Sequence, residues 1–381
     1  MRVSVLQENL HKGLGIVVRA VASRPTLPIL GNVMLKTEDG RLRLSATNLE
    51  LGITLWIGAK VEEEGSITLP ARLFYDLAAN LSPERVDMEL DVRTQTLNLR
   101  CGGTTTNIKG IDATEFPLMP EAVPGSGVSV PAQDFRNMIE QVAFAAAKDD
   151  NRPVLTGILV RFEEDTLTLA AADGYRLAVR KIFLEETVRE TMNLIIPAKT
   201  LQEIARIIAE DDEEVVISLP DGRSQVMFQL RDVHIVSSLI EGKFPDYEGI
   251  IPTSHSTSTT VYTDELLRAC KRSEVFAKDN SYTARLLIDP PDDGIGPGLV
   301  KVRGQSSEKG DNESIVDATV DGSPIEISFN IRYLIDVLNI VHDDQVIIET
   351  NTPSDPGLIR LMKYEDRDYF IHVIMPMRGG G

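Results

Sequence analysis

Two cysteines, Cys101 and Cys270, stand far apart in the 381-residue sequence, with no CxxC and no histidine at ligand spacing. A disulfide framework and a structural zinc site are thereby excluded from the expectation. Aromatic residues are 5% of the chain, too few for a base-stacking platform, and no zinc-finger or aromatic RNA-binding pattern is present. No run approaches the roughly 18 apolar residues of a membrane span. The opening MRVSVLQENLHKG has no basic segment followed by an apolar one, so a cytoplasmic protein without membrane partners is expected.

Catalytic signatures are missing too. GGTTTNIKG from Gly102 has the glycines of a phosphate loop but no Lys-Ser/Thr, and GxSxG and HExxH do not occur. Acidic pairs such as Glu163-Glu164 and Asp211-Asp212 fall at turns between apolar runs, where a solvated surface role outweighs catalysis. A non-enzymatic chain without cofactor or metal is the expectation. An enzyme with a carboxylate pair in an interdomain cleft and a repeat scaffold that binds only proteins are the alternatives.

What is present is an ordinary globular composition, 42% apolar and 25% charged, long enough for two or three domains. Lys and Arg number 39 against 58 Asp and Glu, a formal charge of -19 that repels nucleic acid unless the cations are gathered on one surface.

The chain repeats itself. VSVLQENLHKGLGIVVRAV from Val3, VSVPAQDFRNMIEQVAFAA from Val128 and TTVYTDELLRACKRSEVFA from Thr259 each read as a β-run followed by an amphipathic helix. Alternating strand pairs follow in RLRLSATNLELGITL and TLTLAAADGYRLAVR, the latter turning at Asp173-Gly174. In the third copy, DPPDDGIGPG and GQSSEKGDNES read as exposed Pro, Gly and Ser-rich loops on the hairpin from Leu286 to Val320. A second helix comes next, in SITLPARLFYDLAANL, NLIIPAKTLQEIARII and EISFNIRYLIDVLNIV. Each copy closes on a strand ending in Phe-Pro, Phe-Pro or Met-Pro. The fold class is therefore α+β: three tandem β-rich domains with two helices each, at 1–123, 127–253 and 257–378, and a tail at 379–381.

A basic residue stands two positions after the residue that opens each second helix: Arg72, Lys199 and Arg332. A first-turn cation opposes the helix dipole at a cost of about 0.3–1 kcal/mol, so its recurrence points to a shared anionic ligand. The first helices add Lys12, Arg136 and Arg268, and Arg268, Lys271 and Arg272 share one helix face. Arg24, Lys148, Arg152 and Lys278 lie near the ends of these helices, where cations are favourable in any case. Helices facing one way would make these a basic stripe that meets phosphates without reading sequence.

The segments RPTLPILGN, ADGYRLAV, GKFPDY, FNIRYLIDVL and VIMPMR, in register along the whole chain, are similar to those of the bacterial replicative sliding clamps, the beta subunits of DNA polymerase III. The resemblance implies the DNA-clamp fold, with two chains joined head to tail as a homodimer whose six domains close a ring around duplex DNA. It also implies partners: DNA polymerase, the clamp loader and other proteins carrying a clamp-binding peptide. On this resemblance the peptide pocket falls at Leu155, Gly174, Tyr175, Arg176, Leu177, Pro245, Ile250, Val373, Met375, Pro376, Met377 and Arg378. Apolar anchors with adaptable methionines suit a groove that accepts many peptides; core or interdomain packing is the other role open to them. The chain departs from the family's pattern at Ala172, Tyr175, Glu248-Gly249 and Asp149, and in its GGG ending.

Overall fold

In each copy a strand runs straight into the first helix, and that helix buries one stripe. Leu10, Gly13, Leu14 and Val17 are buried in the first, and Leu266, Ala269, Cys270, Ser273 and Ala277 in the last. The computed structural model describes residues 1–22, 24–121, 127–149, 151–188, 190–220, 224–291, 296–362 and 369–377. Most of the expected linker at Val123, the centre of DPPDDGIGPG, Arg378 and the 379–381 tail lie outside the described residues.

The first copy comprises β1 (Arg2–Leu6), α1 (Gln7–Val17), β2 (Asn32–Glu38), β3 (Arg41–Thr47), β4 (Leu51–Gly58) and β5 (Lys60–Glu63). It continues with β6 (Ser66–Pro70), α2 (Ala71–Ala79), β7 (Arg85–Asp91), β8 (Thr96–Cys101) and β9 (Thr104–Lys109). The second has β10 (Val128–Pro131), α3 (Ala132–Ala143), β11 (Gly157–Glu163), β12 (Thr166–Ala172) and β13 (Arg176–Phe183). After these come β14 (Met192–Pro197), α4 (Ala198–Ile207), β15 (Glu214–Ser218), β16 (Gln225–Gln229) and β17 (Val233–Ser238). The third has β18 (Thr257–Tyr262), α5 (Thr263–Ala277), β19 (Thr283–Asp289), β20 (Gly298–Ser306) and β21 (Gly310–Gly322). It ends with β22 (Ile325–Asn330), α6 (Ile331–Ile340), β23 (Gln345–Thr350), β24 (Gly357–Leu361) and β25 (Tyr369–Ile374). Both helices expected in every copy are present.

The strands form sheets of five (β5-β1-β7-β8-β9), eight (β10-β15-β16-β17-β4-β3-β2-β6) and twelve (β14-β11-β12-β13-β25-β24-β23-β18-β21-β20-β19-β22). Copies are stitched by antiparallel ladders: β17 pairs with β4 through Val236↔Gly52, and β25 with β13 through Val373↔Leu177. The second copy is therefore shared between two compact units. Unit 1 holds Met1–Arg136 with Glu203–Leu239, and unit 2 holds Asn137–Gln202 with the chain from Ile240 onward. They part inside α3 and α4, because β10 and β15–β17 continue the first copy's sheet while β11–β14 continue the third's.

One sequence expectation is corrected. GQSSEKGDNES is mostly strand: Gly304 to Ser306 end β20 and Gly310 to Ser314 begin β21, leaving a short turn between them. Gly304 is a packing glycine rather than a loop signal, since a Cβ there would lie 2.1 Å from the Ser273 carbonyl oxygen on α5.

His372 of β25 is fully buried in unit 2, with its ring 5.2 Å from that of Phe144. Burial, then the nearby Arg176 charge, pushes its pKa down to about 3. Below the ordinary imidazole value the unfolded chain takes up a proton that the folded chain refuses, so folding weakens as pH falls from about 6.5 toward 3. The contribution lost by pH 5 is about 2 kcal/mol. Thermal melts between pH 7.5 and 5 should show a steeper fall in Tm for the parent than for His372→Gln; parallel curves would refute the assignment.

Candidate functional site

The apolar part of the expected pocket is assembled by β-register. Leu177 on β13 faces Val373 on β25, and both join Leu155, Phe244 and Tyr247 in one buried cluster in unit 2. Leu155 arrives on a 3₁₀ turn opened by Pro153, and Tyr247 stands edge-on to Phe244 at 6.4 Å, its hydroxyl pKa pushed up to about 12 by burial. Around this floor Tyr175, Pro245, Ile250 and Met375 are exposed, while Pro376 and Met377 are half-buried.

The turn from Asp173 to Arg176 is held from every side. The Asp173 Oδ1 accepts the amides of Tyr175 at 2.9 Å and Arg176 at 3.1 Å, and the Tyr175 carbonyl accepts the Met375 amide at 2.8 Å. Gly174 takes φ +91°, and a Cβ there would lie 2.6 Å from the Arg152 guanidinium, which donates to the Asp173 carbonyl at 2.7 Å. Arg176 is buried and donates to Asp173 Oδ2 at 3.0 Å, Asp336 Oδ2 at 2.6 Å and the Phe144 carbonyl at 2.8 Å. Its guanidinium also lies 4.4 Å from the Tyr333 ring centre and 5.3 Å from that of Phe144. Burial pushes the Tyr333 hydroxyl pKa up.

Arg176 thus acts as a strut that positions Tyr175 at the rim. Sequence reading missed Phe144, Tyr333 and Asp336; Tyr333 and Asp336 sit in FNIRYLIDVL, but nothing local says they meet Arg176, which lies 160 positions before Asp336. Met377 is tied down by the Ser328 carbonyl, which accepts its amide at 2.8 Å, and by the Thr283 hydroxyl, which donates to its Sδ at 3.3 Å. A cavity of about 420 Å³ in unit 2 lies along Leu159, Arg161, Asn193, Ile195 and the segment from Gly242 to Glu248. Of the expected pocket residues, Pro245 alone lines it.

The expected cations differ in their surroundings. In unit 1, Arg24 and Arg72 are exposed, as are Lys148, Lys199, Arg268 and Lys278 in unit 2. Arg152 joins the turn at Gly174. Arg272 donates to Ser314 on β21 at 3.0 Å, and Lys271 to Asn339 on α6 at 3.3 Å. Arg332 pairs with Glu274 at 3.3 Å and stacks on Tyr282 at 3.5 Å, while the Asn330 side chain caps its amide. Its first-turn position has local compensation, unlike those of Arg72 and Lys199, for which the described residues give no ion pair.

With this geometry in place, comparison with known proteins is decisive. Family models of the DNA polymerase III beta subunit match end to end: the N-terminal domain over 1–120, the central domain over 129–246 and the C-terminal domain over 248–378. A beta sliding clamp of Synechococcus elongatus is 31% identical over 362 residues, 94% of this chain and 95% of that protein. The chain belongs to the DNA polymerase III beta subunit family. Among solved structures, the DNA polymerase sliding clamp of Bacillus subtilis superposes with TM-score 0.92 at 27% identity, covering 100% of both chains. The DNA polymerase III subunit beta of Pseudomonas aeruginosa gives 0.88 at 29% identity, covering 99% of this chain and 100% of that one. The three-domain, β-rich clamp fold expected from the sequence is thus shown, and no described helix of this family member is long and apolar enough to cross a membrane.

Removing the strut should be costly. Arg176→Ala strands the Asp173 and Asp336 carboxylates and is expected to destabilise unit 2 by about 3 kcal/mol, with Arg176→Lys recovering little because an ammonium cannot bridge these partners in plane. Denaturant midpoints check this; a midpoint within error of the parent for Arg176→Ala would remove the strut role.

Proposed function

We propose that the chain performs its family's role as a ring of two copies joined head to tail around duplex DNA in the cytoplasm. It is a processivity factor, an accessory subunit of DNA polymerase and not an enzyme. The enzyme and protein-only scaffold readings find no support among its relatives.

A strand pairing used twice and left open once carries the ring. The last strand of the second copy, β17, pairs with β4 of the first, and the last strand of the third, β25, pairs with β13 of the second. By the same rule β9, the last strand of the first copy, belongs against β21 of a third copy. Among the described residues β9 is laddered on one side, to β8, and Gly310 to Asp317 of β21 on one side, to β20. Two chains meeting head to tail pair both sets of edges and leave neither exposed. Charge agrees, with Lys109 on β9 and Asp311 and Asp317 on β21, where Glu313 already pairs with Arg303.

Tethering by a ring needs weak, mobile contacts, which solvent-exposed cations on a chain of net charge -19 supply through phosphates alone. Arg24, Arg72, Lys148, Arg152, Lys199, Arg268, Lys271, Arg272, Lys278 and Arg332 are the candidates, Arg152 also donating to the Asp173 carbonyl. The floor of Leu155, Leu177 and Val373 under a rim of Tyr175, Pro245, Ile250 and Met375 is read as the site for short peptides of the polymerase, the clamp loader and other partners.

Loaded on nicked circular DNA, the chain should be retained and then lost on linearisation; equal retention on both substrates defeats the ring. Proline at whichever of Thr105 and Thr106 turns its amide away from β8 should yield monomers by native mass spectrometry and abolish retention. Arg72→Glu combined with Lys199→Glu should lower the salt slope of DNA binding by roughly 0.9 per cation, and Arg332→Glu should act less because Glu274 and Tyr282 already engage it. An unchanged slope in the double variant refutes the phosphate role.

A further inference from the structure

Units 1 and 2 contain the same turn. As Asp173 Oδ1 caps the amides of Tyr175 and Arg176, so Asn48 Oδ1 accepts those of Glu50 at 3.0 Å and Leu51 at 2.8 Å. Register carries the equivalence along the strands, because Gly52 pairs with Val236 as Leu177 pairs with Val373. Matching 3₁₀ turns, Pro28–Gly31 and Pro153–Thr156, place Leu30 where unit 2 has Leu155. The floor residues Leu155, Leu177 and Val373 thus have Leu30, Gly52 and Val236 as counterparts, and at Gly52 the side chain is missing.

That space is filled from within. A Cβ on Gly52 would lie 2.2 Å from Met119 Cε and 3.0 Å from its Sδ, and Met119 also packs against Ile29, Leu30 and Phe116. Beside it is a cavity of about 280 Å³ lined by Met119, Pro120, Val236, Thr54, His234 and the single tryptophan, Trp56. Of its charged residues, Glu121 is exposed to solvent, and Glu38 and Arg43 are paired with each other. Glu38 accepts from Trp56 Nε1 at 3.0 Å and pairs with Lys36 at 2.9 Å and Arg43 at 3.4 Å. Burial raises the Glu38 pKa, but the bonds from Lys36 and Trp56 outweigh it and hold the carboxylate low. His234 stands edge-on to Trp56 at 4.8 Å, and burial, then the Arg43 charge, pushes its pKa down. Such walls accept an apolar side chain without stranding a charge.

We propose that this cavity, extended by the slot over Gly52 that Met119 fills, is a latent counterpart of the unit 2 pocket, a site for an apolar side chain of a linear peptide that is complete only when Met119 leaves the slot. The inference rests on the reading of the unit 2 pocket as a peptide site, and it gives each chain one open site and one closed from within. Methionine suits the closing role because its flexible thioether can leave the slot without backbone movement.

The test uses N-acetyl-leucinamide as probe, with methyl-¹³C methionine resonances and Trp56 emission as readouts. In the parent the probe should shift the Met375 methyl and leave Met119 and Trp56 unchanged. In Met119→Ala the probe should change Trp56 emission saturably. Gly52→Ala, which pushes Met119 aside while keeping its resonance observable, should gain the same response. Silence of Trp56 in both variants overturns the proposal, as does a parent in which Met119 and Trp56 respond at the same probe concentrations as Met375. A silent Met375 beside a responding Trp56 in the variants supports the latent site and counts against the unit 2 pocket alone.

Discussion

Everything here hangs on the antiparallel ladder that joins the last strand of one copy to an inner strand of the copy before it. Without β17 against β4 and β25 against β13, each repeat would leave long strand edges facing water. The ladder also assembles the residues of the proposed pocket: it sets Val373 opposite Leu177, and just past its end the Met375 amide meets the Tyr175 carbonyl. One backbone pairing therefore builds the sheet, brings two copies into one floor and aims the rim.

Three repeats of common plan have diverged by small changes on that shared frame. Where unit 2 buries Leu177 against Leu155 and Val373, unit 1 has Gly52 and fills the space with Met119. Where α6 sets Arg332 over Tyr282 beside Glu274, the described residues give Arg72 and Lys199 no ion pair. The repeated plan supplies equivalent positions, and single side chains then make them differ.

Much of this was legible in the sequence because it is encoded locally. Helical period marks EISFNIRYLIDVLNIV as a helix, whose Leu334, Ile335, Val337 and Leu338 are buried in α6, and alternation with Asp173-Gly174 marks the β12–β13 hairpin. The segments in register with the beta subunit family named Leu177 and Val373, which the fold buries in one cluster. Partners distant along the chain were not legible. Nothing near Arg176 announces Phe144, Tyr333 or Asp336, and Gly304 looked like a turn residue because its reason for being glycine is the Ser273 carbonyl on another element. The same holds for Arg152: only the fold shows that its guanidinium also donates to the Asp173 carbonyl beside Gly174.

The shared second copy has a consequence for biosynthesis. β4 emerges from the ribosome early, yet its neighbour β17 is synthesised only after α3, β11–β14 and α4 have passed. At about 5–20 residues per second the first copy waits many seconds with a long hydrophobic edge unsatisfied. Loop-closure entropy over such a span slows the pairing further. The nascent first copy is thus the stage of this chain's life most exposed to aggregation, and the one at which a chaperone has the most to protect.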